Sequence, residues 1–190
     1  MTANASDRPD APGFEILTRR TGHHGFFRLD VYRLRHRLFN GGWTETLERE
    51  IFARAPAAAL LPYDPARDRV VLLEQFRLAA QLGGYACPWI HEGVAGIRED
   101  PGESLATVAR RETGEEAGLE VGRMERVCDY LPSPGGSSEN IRLFIGEVDV
   151  GAAGGLHGLD TEGEDIKVHV LSVAEALDLL DRDRLNNAAA

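Results

Sequence analysis

A chain of 190 residues with 43% hydrophobic content can bury one proper core and a small additional unit, so a single main domain is expected. The formal net charge of -10 opposes a polyanion, which excludes nucleic acid as a main partner but still admits a small anionic substrate bridged by divalent cations. Two separated cysteines, Cys87 and Cys128, exclude a disulfide scaffold and a thiolate zinc site, and no stretch reaches the roughly 18 apolar residues of a membrane helix, so a cytoplasmic protein without membrane contact is expected.

In chain order, residues 1–13 are small, polar and proline-containing and read as a disordered arm. Residues 14–52 read as a small antiparallel β unit, because Gly25 to Ile51 is rich in aromatic, Val and Leu residues and Asn40-Gly41-Gly42 gives a hairpin signal. The main domain is expected over 53–190. It opens with strands at Ala57–Pro62 and Arg69–Phe76, joined by the polar link Tyr63 to Asp68 as a second hairpin. A loop through Gly83-Gly84 and Pro88 leads to the glycine-containing stretch Gly93-Val94-Ala95-Gly96. Ser104 to Ala117 has helical spacing, with Gly118 as its stop. Strands are expected at Met124–Leu131, Ile141–Val150 and Ile166–Leu171, and a last helix at Val173–Leu180, introduced by Ser172 and Glu175 as a capping box. Mixed strands with interspersed helices make the class α+β.

The helix at Ser104 to Ala117 carries the chemistry. At 100° per residue Leu105, Val108, Ala109, Glu112 and Glu116 share one face with Glu115 at its edge, while Thr107, Arg110 and Gly114 point away. The stripe that should be apolar therefore turns acidic. Carboxylates in that position are costly to desolvate unless a cation meets them, and the helix dipole disfavours three of them near the C-terminal end. The alternative is a helix end beyond the core, with Glu115 paired to Arg111 at i, i+4 and the rest solvated. Oxygen ligands without histidine or thiolate suit Mg²⁺ or Mn²⁺, which shares such carboxylates with substrate phosphates. His23, His24, His91, His157 and His169 show no metal-ligand spacing and read as ordinary surface or strand histidines.

Gly96, Glu103, Arg111, Glu112, Glu115, Glu116, Gly118 and Leu119 resemble the Nudix box. Two positions depart from it. Six residues rather than five separate Gly96 from Glu103, and Thr113 stands where an apolar residue is usual. Further marks resemble the bacterial ADP-ribose pyrophosphatase subfamily: Gly25-Phe26-Phe27, Arg35 to Gly41, Leu131 to Gly136, and His157-Gly158-Leu159 leading to Glu162-Gly163-Glu164-Asp165-Ile166. The resemblance implies a mixed sheet between helices and a homodimer in which the β unit swaps across. It also implies a further helix beyond Asn186 to Ala190. Substrate contacts would fall to Phe26, Phe27, Arg49, Glu50, Arg54, Arg77, Ser133, Pro134, Gly135 and Glu139. The Ala95 carbonyl, Glu112, Glu116 and Glu164 would hold the metal, Glu162 would serve as base, and Arg111 would orient Glu115 or Glu112.

The implied reaction is hydrolysis of ADP-ribose to AMP and ribose 5-phosphate. GDP-mannose or another nucleoside diphosphate sugar is the alternative substrate. A non-catalytic ADP-ribose sensor and a structural cation-binding protein are alternatives of other classes. Read without the resemblance, Thr161 to Asp165 is only an acidic loop, solvated as such loops usually are.

Overall fold

The computed structural model describes residues 13–159, 161 and 163–188. The arm expected over residues 1–13 lies, apart from Gly13, outside them. The chain divides into two compact units, one reaching to Arg54 and including Ser133–Ser138, the other made of Ala55–Pro132 and the residues from Glu139 onward.

The first unit is an antiparallel sheet of β1 (Phe14–His24), β2 (Arg28–His36) and β3 (Leu47–Ala53), in that order. The pattern expected from Gly25 onward misses β1 as a strand, since every residue of β1 is exposed and no alternation marks a buried face. Gly25-Phe26-Phe27 turns β1 into β2, with the Gly25 N–H donating to the Phe27 carbonyl at 2.9 Å. Asn40-Gly41-Gly42 lies in the connection from β2 to β3. Gly41 and Gly42 have φ of 90° and 82°, a region that side-chain-bearing residues avoid. Asp30 is fully buried and is bonded by Arg19 at 2.8 Å and Arg28 at 3.1 Å, which offsets the cost of burying its charge. Ser133–Ser138 joins this unit through backbone bonds: Phe52 N–H to the Gly136 carbonyl at 2.7 Å and Ser138 N–H to the Phe52 carbonyl at 3.1 Å.

The second unit is built on β4 (Ala57–Asp64), β5 (Arg69–Phe76), β6 (Trp89–Glu92), β7 (Val94–Ile97), β8 (Met124–Tyr130), β9 (Ile141–Glu147), β10 (Gly155–His157) and β11 (Ile166–Ser172). Its helices are α1 (Leu78–Leu82), α2 (Leu105–Ala117) and α3 (Val173–Asp181). The strands run β10-β11-β5-β4-β9-β8, with β6 added on β5 and β7 on β4. The sheet is mixed: β4 pairs parallel with β9 and antiparallel with β5 and β7.

The hairpin expected between β4 and β5 is confined to Tyr63↔Val70 and Asp64↔Arg69, because the first half of β4 pairs with β7 instead. Pro62, expected to end the first strand, sits inside β4. It falls between the end of the β7 ladder at Leu60 and the start of the β5 ladder at Tyr63, a position where a missing N–H is tolerated. The glycine-containing stretch expected as a loop is strand β7, and the region before it holds α1 and β6. Neither has the length or alternation that a periodicity reading can detect.

Alternation along β5 sends Val71 and Leu73 to one face and Leu72 and Glu74 to the other. Val71 and Leu73 join Ala58, Leu60, Val94, Ile166 and Val168 in the main core, where they pack with Val108, Ala109 and Ala117 of α2. Ala57, Ala59 and Ile141 form a second cluster. The capping box on α3 is present, with the Ser172 hydroxyl accepting from the Glu175 N–H and Glu175 reaching back to the Ser172 N–H. Among the described residues no helix is long and apolar enough to cross a membrane.

Candidate active site

The site grows from α2. Ser104 caps its N-terminus by accepting from the Thr107 N–H at 3.1 Å, and Gly118 ends it in the left-handed conformation with φ of 64°. Val108 and Ala109 anchor the first half in the core. The same face then carries Glu112, half-buried, and Glu116, only 3% exposed. A carboxylate buried that far is part of the packed face, which overturns the solvated-end alternative for Glu116.

Glu116 Oε2 accepts from the Ala95 N–H at 3.1 Å, so β7 and the helix are joined at one ligand candidate. Gly96, the next residue, gives the closest approach: a Cβ there would stand 1.8 Å from Glu112 Oε1. Only a residue without a side chain lets the Glu112 carboxylate lie against β7. Arg111 donates to Glu115 Oε2 at 2.8 Å, stands 2.9 Å from Glu112 Oε1 and lies 3.6 Å from Glu103 Oε1, gathering three carboxylates around one guanidinium. Burial costs that guanidinium hydration, yet Glu112, Glu115 and Glu103 hold its pKa above the ordinary value.

Electrostatics follow from this crowding. Burial pushes Glu112 up to about 7, with Glu115 and Glu164 adding to the rise and Arg111 opposing it. Burial pushes Glu116 up to about 8, assisted by Glu112 and Glu164 and opposed by the Ala95 N–H and Arg77. Carboxylates that raise one another's pKa are at odds unless a proton or a cation joins them. Glu112, Glu116 and Glu164 are hard oxygen donors with excess negative charge, a set that fits Mg²⁺ or Mn²⁺.

Glu164 reaches this group from the loop after β10. Its Oε2 accepts from the Leu159 N–H at 3.1 Å, and a Cβ on Gly158, whose φ is +102°, would lie 2.7 Å from Glu164 Cβ. The His157 ring packs against the end of α2, where a Cβ on Gly118 would meet His157 Cε1 at 2.7 Å. Sequence reasoning gave His157 and Gly158 no role beyond a family mark. Positive φ and the close approach of Glu164 call for glycine at 158, and His157 packs against the end of α2 at Gly118. Glu162 lies outside the described residues.

The remaining expected contacts divide between the units. Arg77 is bound to Glu92 Oε2, with Nη2 at 2.8 Å and Nε at 3.0 Å, and Gln75 donates to the same oxygen at 3.1 Å. Glu92 was missed from sequence because no spacing marks a residue that steadies an arginine. Glu139 is half-buried in the same unit. In the β unit, Phe27 meets Phe26 edge to face and Phe52 at a tilt, with centroid separations of 4.8 Å each, and the Arg54 guanidinium covers Phe27 at 4.9 Å. Arg49 and Glu50 are exposed on β3, and Ser133, Pro134 and Gly135 are exposed in the segment paired with it.

The NUDIX domain model matches residues 53–189. The chain belongs to the Nudix family. An ADP-ribose pyrophosphatase of Escherichia coli strain K12 is 52% identical over 176 residues, which is 93% of this chain and 83% of that one. A GDP-mannose pyrophosphatase of Pectobacterium atrosepticum is 30% identical over 175 residues, 91% of this chain and 88% of that one. A crystal structure of an ADP compounds hydrolase has the same fold, with a TM-score of 0.68, 21% identity, and coverage of 92% of this chain and 86% of that one.

Both departures from the Nudix box find a physical reason. The extra residue before Glu103 is absorbed in a turn, where Gly102 N–H donates to Asp100 Oδ1 at 2.8 Å and Glu103 N–H to the Asp100 carbonyl at 2.9 Å. Thr113 is fully buried, and its hydroxyl donates to the Ala109 carbonyl at 2.7 Å, so no polar group is left unsatisfied.

Proposed function

We propose that this Nudix hydrolase splits the pyrophosphate of ADP-ribose into AMP and ribose 5-phosphate, with Mg²⁺ as cofactor. One observation carries the chemistry: Glu112 and Glu116 are buried on a helix whose capping, glycines and arginine keep them there, and the charge of Glu164 on the loop after β10 adds to the rise in the pKa of both. The substrate follows the relative named for ADP-ribose, which is 52% identical against 30% for the one named for GDP-mannose.

Glu112, Glu116, Glu164 and the Ala95 carbonyl would hold the cation. What Mg²⁺ or Mn²⁺ would supply there is charge neutralisation on the diphosphate and a lowered pKa for water. Arg111 fixes the rotamers of Glu115 and Glu112. Water adds to a phosphorus atom as the P–O–P bridge breaks, and Glu162 takes its proton. Arg77 offers a fixed cation beside Glu116 for the diphosphate. Phe26, Phe27, Arg49, Glu50, Arg54, Ser133, Pro134, Gly135 and Glu139 belong to this proposal as substrate contacts on the strength of the family likeness. The β unit at 14–52 as a dimerising addition to the catalytic domain at 53–190, and a cytoplasmic location, belong to it as well.

The test is AMP release from ADP-ribose with added Mg²⁺, run beside GDP-mannose and beside Glu112→Gln. Mg²⁺-dependent AMP formation that the variant loses by at least about 100-fold is expected, the range for removing one preorganised charge-stabilising group. Tight ADP-ribose binding without turnover in the parent protein would put the sensor reading first. Faster hydrolysis of GDP-mannose would replace the substrate.

A further inference from the structure

We infer that Glu74, His91 and His169 form a second cation site, for a transition-metal dication of the Zn²⁺ class, on the sheet face opposite α2. The ladder register places the three together. Glu74 of β5 lies opposite His91 of β6 and opposite Lys167 of β11, and His169 is two residues further along β11 on the same face. Val71 and Leu73 point the other way, into the core shared with α2, so this cluster is separate from the acidic helix.

One ligand atom from each of the three side chains lies within 4.8 Å of the other two. His169 Nε2 is 2.8 Å from Glu74 Oε2, and the two imidazole rings are 5.3 Å apart. His91 is 8% exposed, and its Nδ1 is buried with no hydrogen-bond partner among the described residues. A buried ring nitrogen without a partner costs free energy, and a metal bound at that nitrogen would satisfy it. Burial also lowers the His91 pKa, which favours the neutral ring that ligates metals. Two imidazoles and one carboxylate make a donor set with a fourth position open, suited to zinc and its neighbours and poorly suited to Mg²⁺.

Tetrahedral ligands at about 2.1 Å from a metal stand about 3.4 Å apart, so on binding the His169–Glu74 pair, now at 2.8 Å, opens by about 0.6 Å and the wider separations, at most 4.8 Å, close by no more than about 1.4 Å. Lys167 Nζ, 4.0 Å from Glu74 Oε2, is the competing cation, and its side chain is 59% exposed and can withdraw into water. Sequence spacing concealed this site because the ligands come from three strands, and only the ladder brings positions 74, 91 and 169 side by side.

The inference is independent of the substrate. Its test uses the full chain, stripped with a chelator, held in excess Mg²⁺ to fill the acidic helix, and titrated with Co²⁺. Co²⁺ in a near-tetrahedral nitrogen and oxygen site absorbs visible light strongly, whereas six-coordinate oxygen sites absorb weakly. The expected result is strong absorption saturating at a single equivalent, displaced by Zn²⁺, lost in His169→Ala and Glu74→Gln, and kept in Glu112→Gln. Glu74→Gln keeps the shape of the site, so circular dichroism matching the parent separates ligand loss from misfolding. Absence of the strong band in the parent, its persistence in both variants, or its loss in Glu112→Gln would overturn the proposal and leave a His–Glu hydrogen bond beside an unsatisfied ring.

Discussion

At the residue scale, the paired glutamates set a pH dependence whose sign can be worked out. In the unfolded chain Glu112 and Glu116 titrate near 4.5, while in the fold they rise to about 7 and about 8. Their folded pKa values are raised, so the folded state retains protons that the unfolded chain has released, and stability falls as pH rises through that window. In chelator the melting temperature is therefore expected to fall between about pH 5 and pH 8, and Mg²⁺ should reverse the fall at the alkaline end by replacing the protons. Glu116→Gln should flatten the curve; a melting temperature that climbs over the same range would show that the carboxylates are not in conflict. Gly96 makes a second residue-scale prediction. Its substitution by Ala drives a Cβ into the Glu112 carboxylate, and we expect about a 10–100-fold loss of AMP release with folding retained, the range for a disturbed ligand support. Unchanged turnover would mean that Glu112 has another productive rotamer.

At the element scale, α2 is where sequence and structure agree most closely. Its stop and its acidic face were legible because 3.6-residue spacing and the glycine stop are local properties. Ser104→Ala removes the bond to the Thr107 N–H, and a urea melt should show a loss of about 1 kcal/mol with little change in the slope. A loss near zero would mean that tertiary packing alone holds the first turn. The short elements were less legible. Strands β6, β7 and β10 have four, four and three residues, too few for a period to emerge, and β7 was hidden further by its small residues. Strand β1 was hidden for a different reason, since its residues are all exposed and so show no inward and outward alternation.

At the scale of the whole molecule, the β unit exposes Phe14, Ile16, Phe26 and Phe39, an apolar load that favours association. A homodimer is expected by sedimentation, at twice the 20.8 kDa of the chain, and Ile16→Lys should shift it toward monomer; a monomer at micromolar concentration would remove the swap from the proposal. By itself the sequence determined the α+β class, the helix with the acidic face, the family and the reaction type, because each rests on residues close together in the chain. Tertiary structure alone decided that β4 joins β7 and β9 rather than forming a long hairpin with β5. It also decided that Gly96 makes room for Glu112, and that Glu74, His91 and His169 meet on the far face of the sheet. These are contacts between segments far apart in sequence, and a period of two or of 3.6 residues carries no information about which strand lies beside which.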